Sequence, residues 1–184
     1  MKAIRLHGRG GMGTVKASEI IVYANVARGR YGNSIPFFGF ERQGAPVTAF
    51  VRLDDRPIRP KTQVYEPDCV IVLDPTIQNA VDVFAGMKAG GVLVINSTSE
   101  PSDIEVPECV GVVASVDATA LAISVLGTPI TNTAMLGALV KATEWIELED
   151  VKAKVREYWG AENERVVQEA YDRTNVFVRA GSRA

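Results

Sequence analysis

Apolar and polar positions along this chain switch between a period of two and a period of 3.6, and the switches outline its elements. Lys2–His7 alternates around Ile4 and Leu6, which predicts a short strand running into glycines. From Thr14 to Arg28, the apolar residues Ala17, Ile20, Ile21, Ala24 and Ala27 recur at helical spacing, and Gly29 fits a C-terminal cap. Gly29 to Pro46 mixes glycines, prolines and aromatics without a period, so an irregular, functional loop is expected there. Pro46–Asp54 reads as a strand, and Asp54-Asp55-Arg56-Pro57 as a turn.

Cys69–Leu73 is a continuous apolar run, as a strand buried on both faces requires. Asp74-Pro75-Thr76 should start a helix with Ile77, Val81, Phe84 and Met87 on one side, ending at Gly90-Gly91. Val92–Ile95 and Val110–Ala114 predict two more buried strands. Helical patterns then follow at Ala118–Leu126, Asn132–Trp145, Glu149–Trp159 and Glu162–Thr174. Asn132–Val140 is apolar nearly all round, so it belongs inside the protein or against a partner. Strands alternating with helices predict an α/β fold with a mostly parallel sheet, an added strand within about 30–60 and a helical C-terminal third. Arg179–Ala184 is expected to fray.

Composition narrows the chemistry. Twenty Lys and Arg against twenty-two Asp and Glu give a net charge of -2, which demotes nucleic-acid binding. No apolar run reaches the ~18 residues of a membrane span, and no signal-peptide core opens the chain, so a cytoplasmic protein is expected. The only two cysteines, Cys69 and Cys109, cannot supply the four thiolates of an iron–sulfur cluster and read as inert core thiols. The single histidine, His7, has no metal-ligand spacing around it and reads as a strand-end residue bonded to backbone. No nucleophile–base–acid set assembles, so no catalytic residue is expected.

Gly8-Arg9-Gly10-Gly11-Met12-Gly13 is the strongest local motif. Glycines between a strand and a helix leave backbone N–H groups uncovered next to the positive end of the helix dipole, where an anion can sit. The string satisfies the dinucleotide pattern Gly-x-Gly-x-x-Gly, but the ribose-binding acid expected about 20 residues further on is missing. Ile20 to Phe40 contains no Asp or Glu. Arg28 and Arg30 could meet a 2′-phosphate instead, so an autonomous NADP-binding reductase stays open, as does a turn that binds nothing. Pro36–Pro46 sets three phenylalanines and the pair Glu41-Arg42 between small residues, Gly44 and Ala45 among them, which suits a contact surface. Asp74 reads as a helix cap. Thr131 or Asn132 should cap the buried helix, whose free amides could also receive an anion. Asn96-Ser97-Thr98 matches a glycosylation sequon but is a false positive without a secretory route.

Four blocks in register carry a resemblance: Gly8–Gly13; Phe38-Gly39-Phe40-Glu41-Arg42-Gln43-Gly44-Ala45-Pro46-Val47; Tyr65-Glu66-Pro67-Asp68 leading into Val70–Pro75; and Asn132-Thr133-Ala134-Met135-Leu136-Gly137-Ala138-Leu139. Over about residues 2 to 160 the chain resembles the gamma subunit of the 2-oxoacid:ferredoxin oxidoreductases, most closely that of the pyruvate enzyme. The resemblance implies a single Rossmann-like gamma-type domain over 1–160, with residues 161–184 as a C-terminal helix and tail. It implies a subunit inactive alone, in a complex that oxidatively decarboxylates a 2-oxoacid with coenzyme A and passes electrons to ferredoxin, or runs in reverse. It places thiamine diphosphate and the iron–sulfur clusters on alpha-, beta- and delta-type partner subunits, and makes this chain a docking and lid domain near coenzyme A. Gly8, Arg9, Gly10, Gly11, Met12, Gly13, Glu41, Arg42, Gly44, Ala45 and Asn132 are the residues expected to contact coenzyme A or neighbouring subunits.

Overall fold

Four segments buried on both faces, three of them continuous apolar runs and the first carrying Arg5 and His7, form the centre of the molecule. In a computed structural model, which describes residues 1–38 and 44–180, they are parallel strands: β1 (Lys2–Arg9), β4 (Cys69–Val72), β5 (Gly91–Asn96) and β6 (Val110–Val116). β2 (Tyr31–Phe38) and β3 (Pro46–Asp54) extend the β1 side antiparallel, and β7 (Asn175–Val178) extends the β6 side antiparallel. The resulting seven-stranded sheet has the order β2-β3-β1-β4-β5-β6-β7.

The helices are α1 (Thr14–Val26), α2 (Ala118–Leu126), α3 (Asn132–Thr143), α4 (Leu148–Trp159) and α5 (Ala161–Arg173). All five contribute to one core, in which Ile20, Ile21, Leu136, Leu139, Val151 and Val167 pack on Ile4, Leu6, Ile71 and Val94. Each fully buried Ile or Leu adds about 2 kcal/mol over exposure. α3 is central, with Asn132–Val140 buried throughout, as its all-round apolarity requires.

The other face of the sheet carries turns. The α-helix expected from Asp74 to Gly90 is a 3-10 turn over Pro75–Asn79 followed by irregular chain. Its helical ladder is broken from outside: the Arg5 guanidinium takes the Val83 and Ala85 carbonyls, both at 2.8 Å, and the Asp82 carboxylate accepts the Phe84 N–H. Ile77, Val83 and Met87 are buried all the same, against Val70, Val72 and Leu93. Arg5 and Arg52 are nearly buried and donate to carbonyls of the 62–64 segment, which fastens that segment over the sheet.

Three further expectations change. Tyr31–Phe38 is a strand, not part of a loop; it lies at the sheet edge, where Pro36 and Gly32 cost little pairing. Asn175–Val178, a β-branched run too short to read, pairs with β6. Arg179 is not frayed: its N–H bonds Gly111 and its guanidinium bonds the Pro107 carbonyl. Among the described residues no helix is long and apolar enough to cross a membrane.

Candidate functional site

The parallel strands all end on one side of the sheet, and open α/β sheets place their ligands outside those carboxyl ends. β1 leads there into Gly10–Gly13 and α1. β4 leads into Asp74, and the Leu73 carbonyl at its end accepts both Asn96 Nδ2 at 3.0 Å and the Thr131 hydroxyl at 3.4 Å. The start of α3 is thereby drawn against the start of α1.

The glycines make this approach sterically feasible. A Cβ on Gly13, whose φ is +76°, would lie 2.4 Å from Asn132 Nδ2. A Cβ on Gly8 would lie 2.2 Å from the Thr14 hydroxyl, so β1 and the first turn of α1 can touch only there. The second loop is zipped to the first: Gly10 N–H donates to the Ala45 carbonyl at 2.9 Å, and Gly44 N–H to the Gly10 carbonyl at 3.2 Å. The structure thus brings Gly8–Gly13, Gly44, Ala45 and Asn132 together. Glu41 and Arg42 lie outside the described residues.

Neither helix end is closed. The first turn of α1 holds no acid and gains no side-chain cap, and its first internal bond runs from Ala17 N–H to Gly13. The amides of Thr14, Val15 and Lys16 therefore point out of the helix end. α3 also lacks an acid in its first turn, and Thr131, expected as a cap, donates instead to Leu73. Asn132 Oδ1 takes the Thr133 N–H at 2.9 Å, while its Nδ2 has no hydrogen-bond partner among the described residues. Thr14 Oγ1, unlike that amide nitrogen, is both buried and unpartnered. A buried hydroxyl left without a partner costs about 1–3 kcal/mol. Thr14 is the functional candidate that sequence reasoning missed; its only signal was a hydroxyl directly after the last glycine of the motif.

Two of the expected contact residues have other work. Arg9 is spent on Asp74 (2.8 Å), the Thr76 hydroxyl (2.9 Å) and the Gly44 carbonyl (3.0 Å), so it braces the two loops. Burial acts to raise the Asp74 pKa, but the Thr76 hydroxyl and N–H together with Arg9 outweigh it and hold the carboxyl below the ordinary range. Asp74 also caps Thr76, as expected. Met12 packs its side chain on the core.

His7 sits under the site but not as expected. It is 3% exposed within β1, accepts from Arg5 Nε at 3.0 Å and faces the Thr48 hydroxyl with Nδ1, so its partners are side chains. Burial, with Arg5 beside it, lowers its pKa to about 4. Cys69 is fully buried, and burial pushes its thiol up. Cys109 is only partly buried. Asn96 of the sequon is buried and spends its amide on Leu73, Thr119 and Ala118. Arg28 and Arg30 pair with Asp150 and Asp55, beyond the Val26 end of α1 and the Tyr31 end of β2. That is about 20 Å from the glycines by the rise of a 13-residue helix, so they do not complete a dinucleotide site there.

Fold and site together define an α/β domain with a cradle at the carboxyl end of its sheet, built from two helix starts without side-chain caps. Comparison with known proteins narrows the class. The description pyruvate ferredoxin/flavodoxin oxidoreductase belongs to the family whose sequence profile matches residues 3–173. The chain is 47% identical over 183 residues to the pyruvate/ketoisovalerate oxidoreductases common subunit gamma of Thermococcus kodakarensis, covering 96% of this chain and 99% of that one. It is 49% identical over 152 residues to the NADH-dependent phenylglyoxylate dehydrogenase subunit gamma of Aromatoleum evansii, covering 83% and 80%. The crystal structure of the pyruvate oxidoreductase subunit PORC of Thermotoga maritima superposes with a TM-score of 0.83 at 29% identity, covering 95% of this chain and 97% of that one. The chain belongs to the pyruvate ferredoxin/flavodoxin oxidoreductase family, as the gamma subunit of a multi-subunit pyruvate/2-oxoacid oxidoreductase.

Proposed function

We propose that this chain is the docking and lid domain of a complex that converts pyruvate or a related 2-oxoacid and coenzyme A to acyl-CoA, CO2, a proton and two electrons for ferredoxin, or runs the reverse. Its cradle contacts a phosphate of coenzyme A. The observation that carries this reading is the meeting of two uncapped helix starts at Gly13 and Asn132, with the buried, unpartnered Thr14 hydroxyl beside Gly8 beneath the first of them. A phosphate oxygen accepts from free helix amides and, once the Thr14 side chain turns outward, from its hydroxyl, and the two helix dipoles favour its charge. Asn132 Nδ2 adds a neutral donor. Coenzyme A supplies the thiol that receives the acyl group; this chain's residues bind and orient its phosphate.

The alpha-, beta- and delta-type subunits would hold thiamine diphosphate and the iron–sulfur clusters. The donor set agrees with that division, since two separated cysteines cannot ligate a cluster.

Thr14→Val tests the cradle, because it keeps the shape and deletes the orphan hydroxyl. In the complex assembled with its partner chains, the expected result is a roughly tenfold higher KM for coenzyme A, about 1.4 kcal/mol. The melting temperature of this chain should be unchanged or higher, since a buried unsatisfied group is removed. An unchanged KM for coenzyme A sinks the cradle reading in favour of a ligand-free scaffold.

A further inference from the structure

The two outer edges of the sheet differ. β2 carries Gly32 and Pro36, which blunt an edge against further pairing. β7 carries neither: its Val176, Phe177 and Val178 are between 39% and 55% exposed. The Arg179 N–H donates to the Gly111 carbonyl at 2.9 Å, so the ladder with β6 runs one residue past Val178. Paired positions alternate along an antiparallel ladder. Asn175, Phe177 and Arg179 therefore turn their backbone groups toward β6, and Val176 and Val178 turn theirs outward. An apolar edge with open backbone donors and acceptors is a template for one more strand.

The surface beside the edge selects that strand. Phe177, its cross-strand neighbour Val113, Arg179 and the segment over Pro101–Val106 line a groove of about 460 Å³. Asp103 and Glu105 of that segment are exposed, and neither is in an ion pair among the described residues. No Lys or Arg occurs between Lys88 and Lys141, whereas Glu100, Asp103, Glu105, Glu108 and Asp117 all do. The Arg179 guanidinium is turned to the Pro107 and Val110 carbonyls. A second copy of this chain, paired β7 to β7 about a two-fold axis, would bring its own acidic segment to the same face of the joined sheet, where like charges repel. A strand with Lys or Arg on the groove side and apolar residues on the side of Val176 and Val178 meets both surfaces. We propose that the free edge of β7 receives an extended, basic segment of a partner subunit as an eighth strand, with its cations at Asp103 and Glu105. This docking requires only that the chain is one subunit of a multi-subunit oxidoreductase, so it stands or falls apart from the coenzyme A cradle.

A photo-crosslink in the assembled complex tests it. Ser102→p-benzoylphenylalanine sets the reactive ketone in the groove at an exposed position. The expected product joins this chain to a partner-subunit peptide in which Lys or Arg alternates with apolar residues. A product joining two copies of this chain, a partner peptide without that pattern, or no product overturns the proposal. In the same complex, amide exchange at Val176 and Val178 should be slowed roughly a hundredfold relative to an unprotected chain, as in a paired strand. Free exchange at both amides overturns the eighth strand. Asp103→Asn combined with Glu105→Gln leaves the edge itself intact, because both side chains are exposed. The double variant should speed dissociation of this chain from the complex about tenfold at low salt and about twofold or less at ~1 M salt, where the charges are screened. An unchanged dissociation rate at low salt overturns the basic partner.

Discussion

The starts of α1 and α3 are built in the opposite way to those of α4 and α5. α4 begins with Glu149 and Asp150 in its first turn, and α5 with Glu162 and Glu164. Those carboxylates answer the exposed amides and the dipole of their own helices. α1 and α3 have no acid in the first turn, and none of the four helices gains a side-chain cap at the residue before it. α1 also carries a buried hydroxyl without a partner. The fold thus sets acids at two helix starts and none at the two that lie side by side at the carboxyl end of its sheet, which is the difference the proposed anion site draws on.

Three changes press on that contrast. The largest concerns the floor beneath the ends. α4 and α5 rest on Val151, Val155, Val166 and Val167, whereas the strand that leads to the cradle holds the buried His7. The unfolded His titrates near 6.5 and the folded one at about 4, so the unfolded chain binds the extra proton first as pH falls. Stability should therefore be full above pH 6.5 and decline by about 3 kcal/mol on the way to pH 4. Urea melts across that range check this, and His7→Gln should flatten the slope. Hydrogen exchange should open β1 before α4. If α4 opens first, the difference in floors is irrelevant.

Giving a bare end the missing acid should abolish the contrast. Val15→Glu places a carboxylate in the first turn of α1, where it helps the helix by about 0.5 kcal/mol. The same charge should repel a phosphate and raise KM for coenzyme A in the assembled complex about thirtyfold, or about 2 kcal/mol. A variant that is steadier with KM unmoved would show that no anion visits α1. The smallest effect should come from the closed side: Glu149→Gln is expected to cost about 0.5 kcal/mol in thermal melts and leave KM for coenzyme A unchanged.

Much of this architecture was legible beforehand because its signals are local. The buried strand runs at Cys69–Leu73 and Val92–Ile95, the amphipathic α4 and the apolar α3 each declare themselves within one window. The Gly8–Gly13 motif did so too, since a glycine string between strand and helix has few other uses. The misreadings arose where distant residues decided. Ile77 to Met87 has a helical period, yet Arg5, about eighty residues earlier, takes the carbonyls its ladder would need. Tyr31–Phe38 lacks a clean alternation and is a strand because β3 offers it an edge. His7 looked like a strand-end residue, but Arg5 and Thr48 surround it.

The order of residues alone determined the class of fold, the glycine turn and, through four blocks of motif, the family. Those depend on periodicity and on short runs of residue types, which any stretch of chain carries with it. Only the folded arrangement decided which polar groups were left over. Thr131 could have capped α3 but bonds Leu73; Arg9 could have met a ligand but holds Asp74; Thr14, unremarkable in sequence, is the hydroxyl left without a partner. A hydrogen bond is spent or unspent according to neighbours far away in the chain, so the open donors of this site exist only once β1, β4, α1 and α3 have met.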